Sequence, residues 1–282
     1  MHDNKNYKTM KSLTDLAIKY KTDKHGIHFY TKIYEKYMLP KIDQEIGLLE
    51  IGVGGYDEPQ KGGESLKMWA DFFSKGKIFS LDYFEKKLNL GSRIKIFKGS
   101  QSNREDLMRI VNETGELDFI IDDGSHINRD VIYTFKTLFK FLKHGGYYFI
   151  EDTQTSYMPE FGGDAFYLRN KKTLINFFKE IVDKINYMEI KNPFYQIDYF
   201  AKNVTEIHFY HNLIVIKKNK NDEVSNVLDS TKKYKNKKKI KYIFSYVKSV
   251  FYNFIDNLKI WNIMERCESG LISTLGKCVY CQ

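Results

Sequence analysis

Residues 48–57, Leu-Leu-Glu-Ile-Gly-Val-Gly-Gly-Tyr-Asp, constrain the fold more than any other stretch: an apolar run ends in three glycines within four residues. Leu48, Leu49 and Ile51 predict a buried strand, and Gly52, Gly54 and Gly55 a turn whose backbone passes close to something. Such a strand and turn is where an open α/β sheet holds a nucleotide-like ligand, because bare N–H groups and missing Cβ atoms leave room for one. Asp57 stands where a dinucleotide fingerprint has its third glycine, which counts against a nicotinamide cofactor. Glu50 lies inside the strand, and a buried carboxylate needs a partner.

Around this stretch the pattern alternates strand and helix with short loops, predicting a mostly parallel sheet with helices on both faces. Residues 12–20 and 31–39 read as short helices, the second stopped by Pro40. Helices are expected at 63–73, 102–111, 128–142 and 173–185, and strands at 77–81, 94–97, 117–121 and 147–150. Ser102, with Glu105 three residues on, is the expected cap of one helix, and Gly145-Gly146 the expected stop of another. Residues 206–210 and 213–217 form a hairpin through His211-Asn212, the last two of seven strands.

Strand-terminal acids recur: Asp82, then Asp122-Asp123, then Glu151-Asp152. In a parallel sheet these ends share one edge, with neighbouring strands about 4.8 Å apart, so Asp123, Glu151 and Asp152 meet if their strands are adjacent. Three carboxylates suit a hard cation, Mg²⁺ with Mn²⁺ as the second choice. His126, three residues past Asp123, is placed to take a proton there, although an ordinary surface histidine or a helix-capping turn would leave the same residues. Asp82 has the position of an acid that accepts from a ribose diol; Gln101 and Ser102 are placed to reach a base edge, and Ser65 and Lys67 an anionic group.

Composition narrows the remaining classes. A content of 42% hydrophobic and 16% aromatic residues supports a packed core. The net charge of +9 is local, since residues 217–241 hold ten lysines against three acids; the nearly neutral remainder offers no nucleic-acid groove. That run reads as a solvated linker, and Ile243, Val247, Phe251, Phe254, Leu258 and Trp261 beyond it recur at helical spacing, for packing on the body, on a second subunit or weakly on a membrane surface. No stretch has the length of a membrane span and the N-terminus lacks a signal-peptide core, so the expected location is cytoplasmic. Cys267, Cys278 and Cys281 read as reduced thiols, one ligand short of a structural zinc site.

With these residues assembled, the chain resembles the class I S-adenosylmethionine-dependent methyltransferases, and within them the metal-dependent sugar O-methyltransferases related to the macrocin and mycinamicin enzymes. The resemblance is carried by Tyr20-Lys-Thr-Asp-Lys24, His28-Phe-Tyr-Thr31, Leu49-Glu-Ile-Gly-Val-Gly-Gly-Tyr-Asp57, Gly63-Glu-Ser-Leu-Lys-Met-Trp69, Gly99-Ser-Gln-Ser102, Ile121-Asp-Asp-Gly-Ser-His126 and Ile150-Glu-Asp152. It implies an α/β, Rossmann-like seven-stranded sheet ending in an antiparallel hairpin. S-adenosylmethionine would lie against Glu50, Ile51, Gly52, Gly54, Gly55, Tyr56, Asp57, Ser65, Asp82, Tyr83, Gln101, Ser102, Asp122 and Asp123. Mg²⁺ would be held by Asp123, Glu151 and Asp152, with His126 as base and Lys24, His28, Tyr30 and Tyr157 toward the substrate. The resemblance covers about residues 13–217, and the tail after about Lys218 departs from it; the expected organisation is a helical cap at 1–45, the cofactor-binding core at 46–217, a linker at 218–242 and a helical extension at 243–282, in a homo-oligomer. The implied acceptor is a sugar hydroxyl, on an antibiotic glycoside, a bacterial surface polysaccharide or a nucleotide-linked sugar. The rival expectations are a catechol or acyl-CoA-ester O-methyltransferase, and a nucleotide-sugar binding protein without catalysis.

Overall fold

Five parallel strands carry the first half of the chain, and an antiparallel hairpin closes their sheet. The computed structural model describes residues 12–225 apart from 191 and 193, together with residue 249. Its strands are β1 (Gly47–Ile51), β2 (Lys77–Asp82), β3 (Ile94–Lys98), β4 (Leu117–Asp122), β5 (Leu142–Glu151), β6 (Val204–Tyr210) and β7 (Leu213–Lys218), in the order β3-β2-β1-β4-β5-β7-β6. β1 pairs parallel with β2 and β4, β2 with β3 and β4 with β5, whereas β7 runs antiparallel to β5 and β6. The strand order reverses between β1 and β4, so a ligand crevice opens at their carboxyl ends. Register pairs Ile51 with Asp122 and Asp122 with Ile150, which sets the ends of three strands level.

Strand alternation divides the core in two. Leu48, Phe119, Ile121, Phe149 and Val215 belong to a buried cluster with side chains of α1 (Leu13–Tyr20), α2 (Thr31–Met38) and α3 (Glu64–Phe72). Leu49, Ile51, Ile120, Tyr148, Ile150 and Ile214 belong to the other, with α4 (Arg104–Thr114), α5 (Asn128–Leu138) and α6 (Leu174–Ile185). The hydrophobic periodicity of each segment thus has its physical counterpart, and Ser12 caps α1 in a capping box with Asp15.

Two local expectations are corrected. The cap of α4 is Asn103, whose Oδ1 accepts from the Glu105 and Asp106 N–H groups at 2.8 and 3.1 Å; Ser102 instead lies against the Ser100 hydroxyl. Gly145-Gly146 lies within β5, because Leu142 already pairs with Leu117 and Gly146 with Lys218. The ladder with β4 is interrupted there, and Gly145 takes up the irregularity at φ +78°. The segment before β6 also forms a short helix, α7 (Tyr199–Asn203), capped by Asp198, which its brevity hid from periodicity.

The described residues fall into two units, 12–187 with 195–222, and those of 188–194 with 223–225 and 249. Lys218 ends β7 in the first unit, where its ammonium donates to the Lys140 and Leu142 carbonyls, so the solvated character expected from residue 218 does not begin there. Within the second unit the Ser225 hydroxyl donates to Glu189 at 2.8 Å. The expected C-terminal helix and the three cysteines lie outside the described residues, as do residues 1–11 of the expected N-terminal cap. Among the described residues no helix is long and apolar enough to cross a membrane.

Candidate active site

The site grows from the turn after β1. Gly52 bonds the Leu81 carbonyl through its N–H at 2.8 Å, while the Asp123 N–H reaches the Ile51 carbonyl at 3.0 Å, so the three strand ends are laced together. Gly52 holds φ +97°, and a Cβ there would run into the Asp123 carbonyl. Gly54 is different: a Cβ on it would meet only Gly62, at 3.9 Å, which leaves open space over the turn. Tyr56, directly after the glycines, and Tyr83, next to Asp82, are exposed. Asp82 accepts from the Val53 N–H at 2.9 Å and the Phe84 N–H at 2.8 Å, fixing its carboxylate beside the turn. A cleft of about 430 Å³ at the ends of β2 and β3 is lined by Tyr83, Phe84, Lys98 and Ser100 among others.

Beneath the turn, polar residues hold one another. Glu50 is fully buried and accepts from Ser65 at 2.8 Å and from the Trp69 indole at 3.0 Å, which answers its demand for a partner. Burial pushes its carboxyl up, and the Lys24 charge opposes this. Asp122 is buried against the Gln101 amide at 3.1 Å and the Tyr148 hydroxyl at 3.3 Å; burial pushes its carboxyl up to about 7 against those bonds. Gln101 also donates to Thr134 and accepts from the Ser125 N–H, so its amide ties the loop after β3 to the loop after β4. Ser102 and Asp57 are exposed at the surface of their loops.

At the carboxyl ends of β4 and β5 the acids converge. Lys24 Nζ lies 2.7 Å from Asp123 Oδ2, 2.7 Å from Glu151 Oε1 and 3.1 Å from Glu50 Oε1, and its side chain is 1% exposed. Burial would drive an ammonium toward neutrality, yet three carboxylates outweigh it and hold the charge on Lys24. Burial and Asp123 push the Glu151 carboxyl well up, while Lys24 and the Tyr34 hydroxyl bond its Oε1. Tyr30 donates to Asp152 Oδ1 at 2.9 Å and stacks on His28, whose Nδ1 is 3.6 Å from the same oxygen. His126 Nε2 lies 3.7 Å from Asp152 Oδ2 and 3.9 Å from Asp123 Oδ1, beyond hydrogen-bond length, with a quarter of its side chain exposed. His126 and Asp152 both hold left-handed backbone, at φ 55° and 53°. Such strain in ordinary residues gathers where the surroundings must fix a side chain.

Two groups of three among the described residues could hold a cation, and they share Asp123: Asp123, His126 and Asp152, and Glu50, Asp123 and Glu151. The Lys24 ammonium fills the second. The first is partly exposed, and its two carboxylates are hard oxygen donors that fit Mg²⁺ or Mn²⁺, with the His126 imidazole beside them. Of the acids expected around one metal, Asp123 thus meets Asp152 in one group and Glu151 in the other. Of the residues expected toward the substrate, Lys24 is a buried counter-charge, His28 and Tyr30 face Asp152, and Tyr157 is exposed beyond the turn that follows Asp152. Tyr34 and Trp69, which bond Glu151 and Glu50, join the site beyond the residues expected from the sequence. Tyr34 follows Tyr30 by one helical turn, the spacing that puts both phenols on one face, and Trp69 follows Ser65 in the same way.

A sheet of this order and closing hairpin, with a glycine turn after β1 and acids on the ends of β4 and β5, is the fold of the class I methyltransferases. The chain is 39% identical over 213 residues to mycinamicin VI 2''-O-methyltransferase of Micromonospora griseorubida, covering 75% of this chain and 53% of that one. It is 38% identical over 213 residues to the 8-demethyl-8-alpha-L-rhamnosyl tetracenomycin-C 2'-O-methyltransferase of Streptomyces olivaceus, covering 74% and 55%. The crystal structure of MycE methyltransferase from the mycinamycin pathway, in complex with Mg and SAH, superposes with a TM-score of 0.73 at 38% identity, over 76% of this chain and 56% of that one. No protein-family model matches the chain. Over about three quarters of its length the chain is similar to these sugar O-methyltransferases, and it spans about half the length of the curated relatives it matches.

Proposed function

We propose that this chain is the catalytic part of an S-adenosylmethionine- and divalent-cation-dependent O-methyltransferase acting on a sugar hydroxyl. The observation that carries the reading is the meeting of Asp123, His126 and Asp152 at level strand ends beside the open glycine turn. The relatives support the cofactor and the cation, since MycE binds Mg and SAH, and one relative is named for methylating a rhamnosyl group. When bound, S-adenosylmethionine supplies a sulfonium methyl group, and Mg²⁺ a charge that makes the acceptor hydroxyl more acidic.

The residues divide the remaining work. Gly54 leaves the space over the turn open to the cofactor, Gly52 and Gly55 let the turn close against the backbone of Asp123 and Lys61, Asp82 offers its carboxylate beside the turn, and Tyr56 and Tyr83 are exposed for contact with it. Asp123 and Asp152 would hold the cation, with Glu151 on the same strand end and Mn²⁺ as a competent substitute. His126 Nε2, free of a short bond and partly open to solvent, takes the hydroxyl proton as the oxygen attacks the methyl carbon. Tyr157 stands at the acceptor side, and the enzyme works as a homo-oligomer in the cytoplasm.

The deciding experiment pairs binding with turnover. His126→Ala keeps the thermal shift produced by S-adenosylmethionine, about 2.7 kcal/mol at a hundredfold excess over Kd, and loses on the order of 10²–10⁴ in kcat. EDTA abolishes methylation of a panel containing polyketide glycosides, oligosaccharides of surface polysaccharides and nucleotide-linked sugars. Full turnover by His126→Ala removes it as base, and full methylation in EDTA removes the cation. A preference for catechols over every sugar would overturn the acceptor.

A further inference from the structure

The N-terminal segment reaches the acids in an ordered way. Residues 24–30 form a closed loop: the Tyr30 N–H bonds the Lys24 carbonyl at 3.1 Å, the His28 N–H bonds the Asp23 carbonyl at 2.9 Å, and His25 bridges Phe29. Lys24 and Tyr30 therefore project from the two ends of one small unit. Of the two acids in the open group, Lys24, which also faces Glu151 and Glu50, holds one oxygen of Asp123, Oδ2 at 2.7 Å, and Tyr30 holds one oxygen of Asp152, Oδ1 at 2.9 Å. The oxygens left over, Asp123 Oδ1 and Asp152 Oδ2, are the two that lie toward His126 Nε2, at 3.9 and 3.7 Å.

We infer that Lys24 and Tyr30 are positioning residues of the cation edge, each pinning one carboxylate oxygen so that the other faces a cation. The inference rests on the reading of Asp123 and Asp152 as cation ligands. A carboxylate free to rotate about its last bond must be ordered when the cation arrives; a donor on its far oxygen orders it beforehand. The Tyr30 hydroxyl also lies 3.1 Å from the Asn212 carbonyl at the tip of the β6–β7 hairpin, so the same phenol fixes the hairpin tip against the acid. A purely structural anchor would serve that second contact alone, and the test separates the two roles.

The probe is Mn²⁺ alone, titrated by electron paramagnetic resonance without cofactor or acceptor, on the full chain and on Tyr30→Phe, Lys24→Arg and Tyr37→Phe. Tyr30→Phe keeps the ring stacked on His28 and removes only the hydroxyl; Mn²⁺ binding should weaken about 10–100-fold, the usual loss when a ligand's supporting donor is removed. Its melting temperature in EDTA should stay near that of the parent chain. Lys24→Arg keeps the charge while moving the donor nitrogens, and should weaken Mn²⁺ in the same direction. Tyr37, two turns beyond Tyr30 on α2, bonds Tyr210 instead of an acid, and Tyr37→Phe should bind Mn²⁺ as the parent does. Parent-like affinity in both Tyr30→Phe and Lys24→Arg overturns the inference, as does an equal loss in Tyr37→Phe. Absence of Mn²⁺ binding by the parent chain instead overturns the underlying assignment of the edge.

Discussion

At the scale of single residues, the site is a problem of charge in a nearly dry place. Glu50 and Glu151 are buried, and Lys24 is the cation that faces both. Removing one member of a buried ionic group leaves the others uncompensated, at a cost of about 3–5 kcal/mol. Lys24→Met should therefore lower the urea-unfolding free energy in EDTA by about that much, and Lys24→Met with Glu151→Gln should recover part of the loss because the pair is removed together. A loss below about 1 kcal/mol, the range of exposed ion pairs, would show that water reaches this cluster. The same residues mark what was legible in the sequence. Glu50 announced that it needed a partner, but nothing in the spacing of Lys24 and Glu50 said that one ammonium would answer three acids distant along the chain.

At the scale of elements, the helices follow their periodicity while their ends follow local hydrogen bonds. Ser102 and Asn103 are both good capping residues, and composition could not choose between them. The choice falls to Asn103 because its side chain reaches two N–H groups of α4, whereas Ser102 turns to Ser100. Asn103→Ala should destabilise the protein by about 1 kcal/mol, and Ser102→Ala should leave unfolding within about 0.5 kcal/mol of the parent, measured by chemical denaturation. Equal effects would return the cap to Ser102. The start of β5 makes the same point, since two glycines ordinarily end a helix, yet strand pairing of Leu142 and Gly146 takes them into the sheet.

At the scale of the whole molecule, the two ends of the sheet do different work. The carboxyl ends gather the acids and His126; the opposite end is pinned by Asp118, which accepts from Lys41 at 2.9 Å, Lys143 at 2.8 Å and the Gly47 N–H at 3.0 Å. Burial pushes the Asp118 carboxyl up, but the bonds from Lys143, Lys41 and Gly47 outweigh it and hold the carboxyl below its usual range. A carboxylate lowered on folding contributes stability above its unfolded value of about 3.9, and that contribution is lost as pH falls through the folded value. Asp118→Asn should therefore cost about 1–3 kcal/mol at pH 7 and converge on the parent chain in strong acid. Curves that stay parallel down to pH 2 would contradict this assignment.

The sequence by itself determined the alternation of strands and helices, the glycine turn and the acids at the strand ends, because these follow from side-chain period and from the needs of residues near one another. Tertiary structure alone decided which strands became neighbours, and hence that Asp123 stands beside Asp152 and that Lys24 enters among Glu50, Asp123 and Glu151. Sheet order and the direction in which a side chain is aimed are set by packing summed over the whole core, which no local spacing encodes.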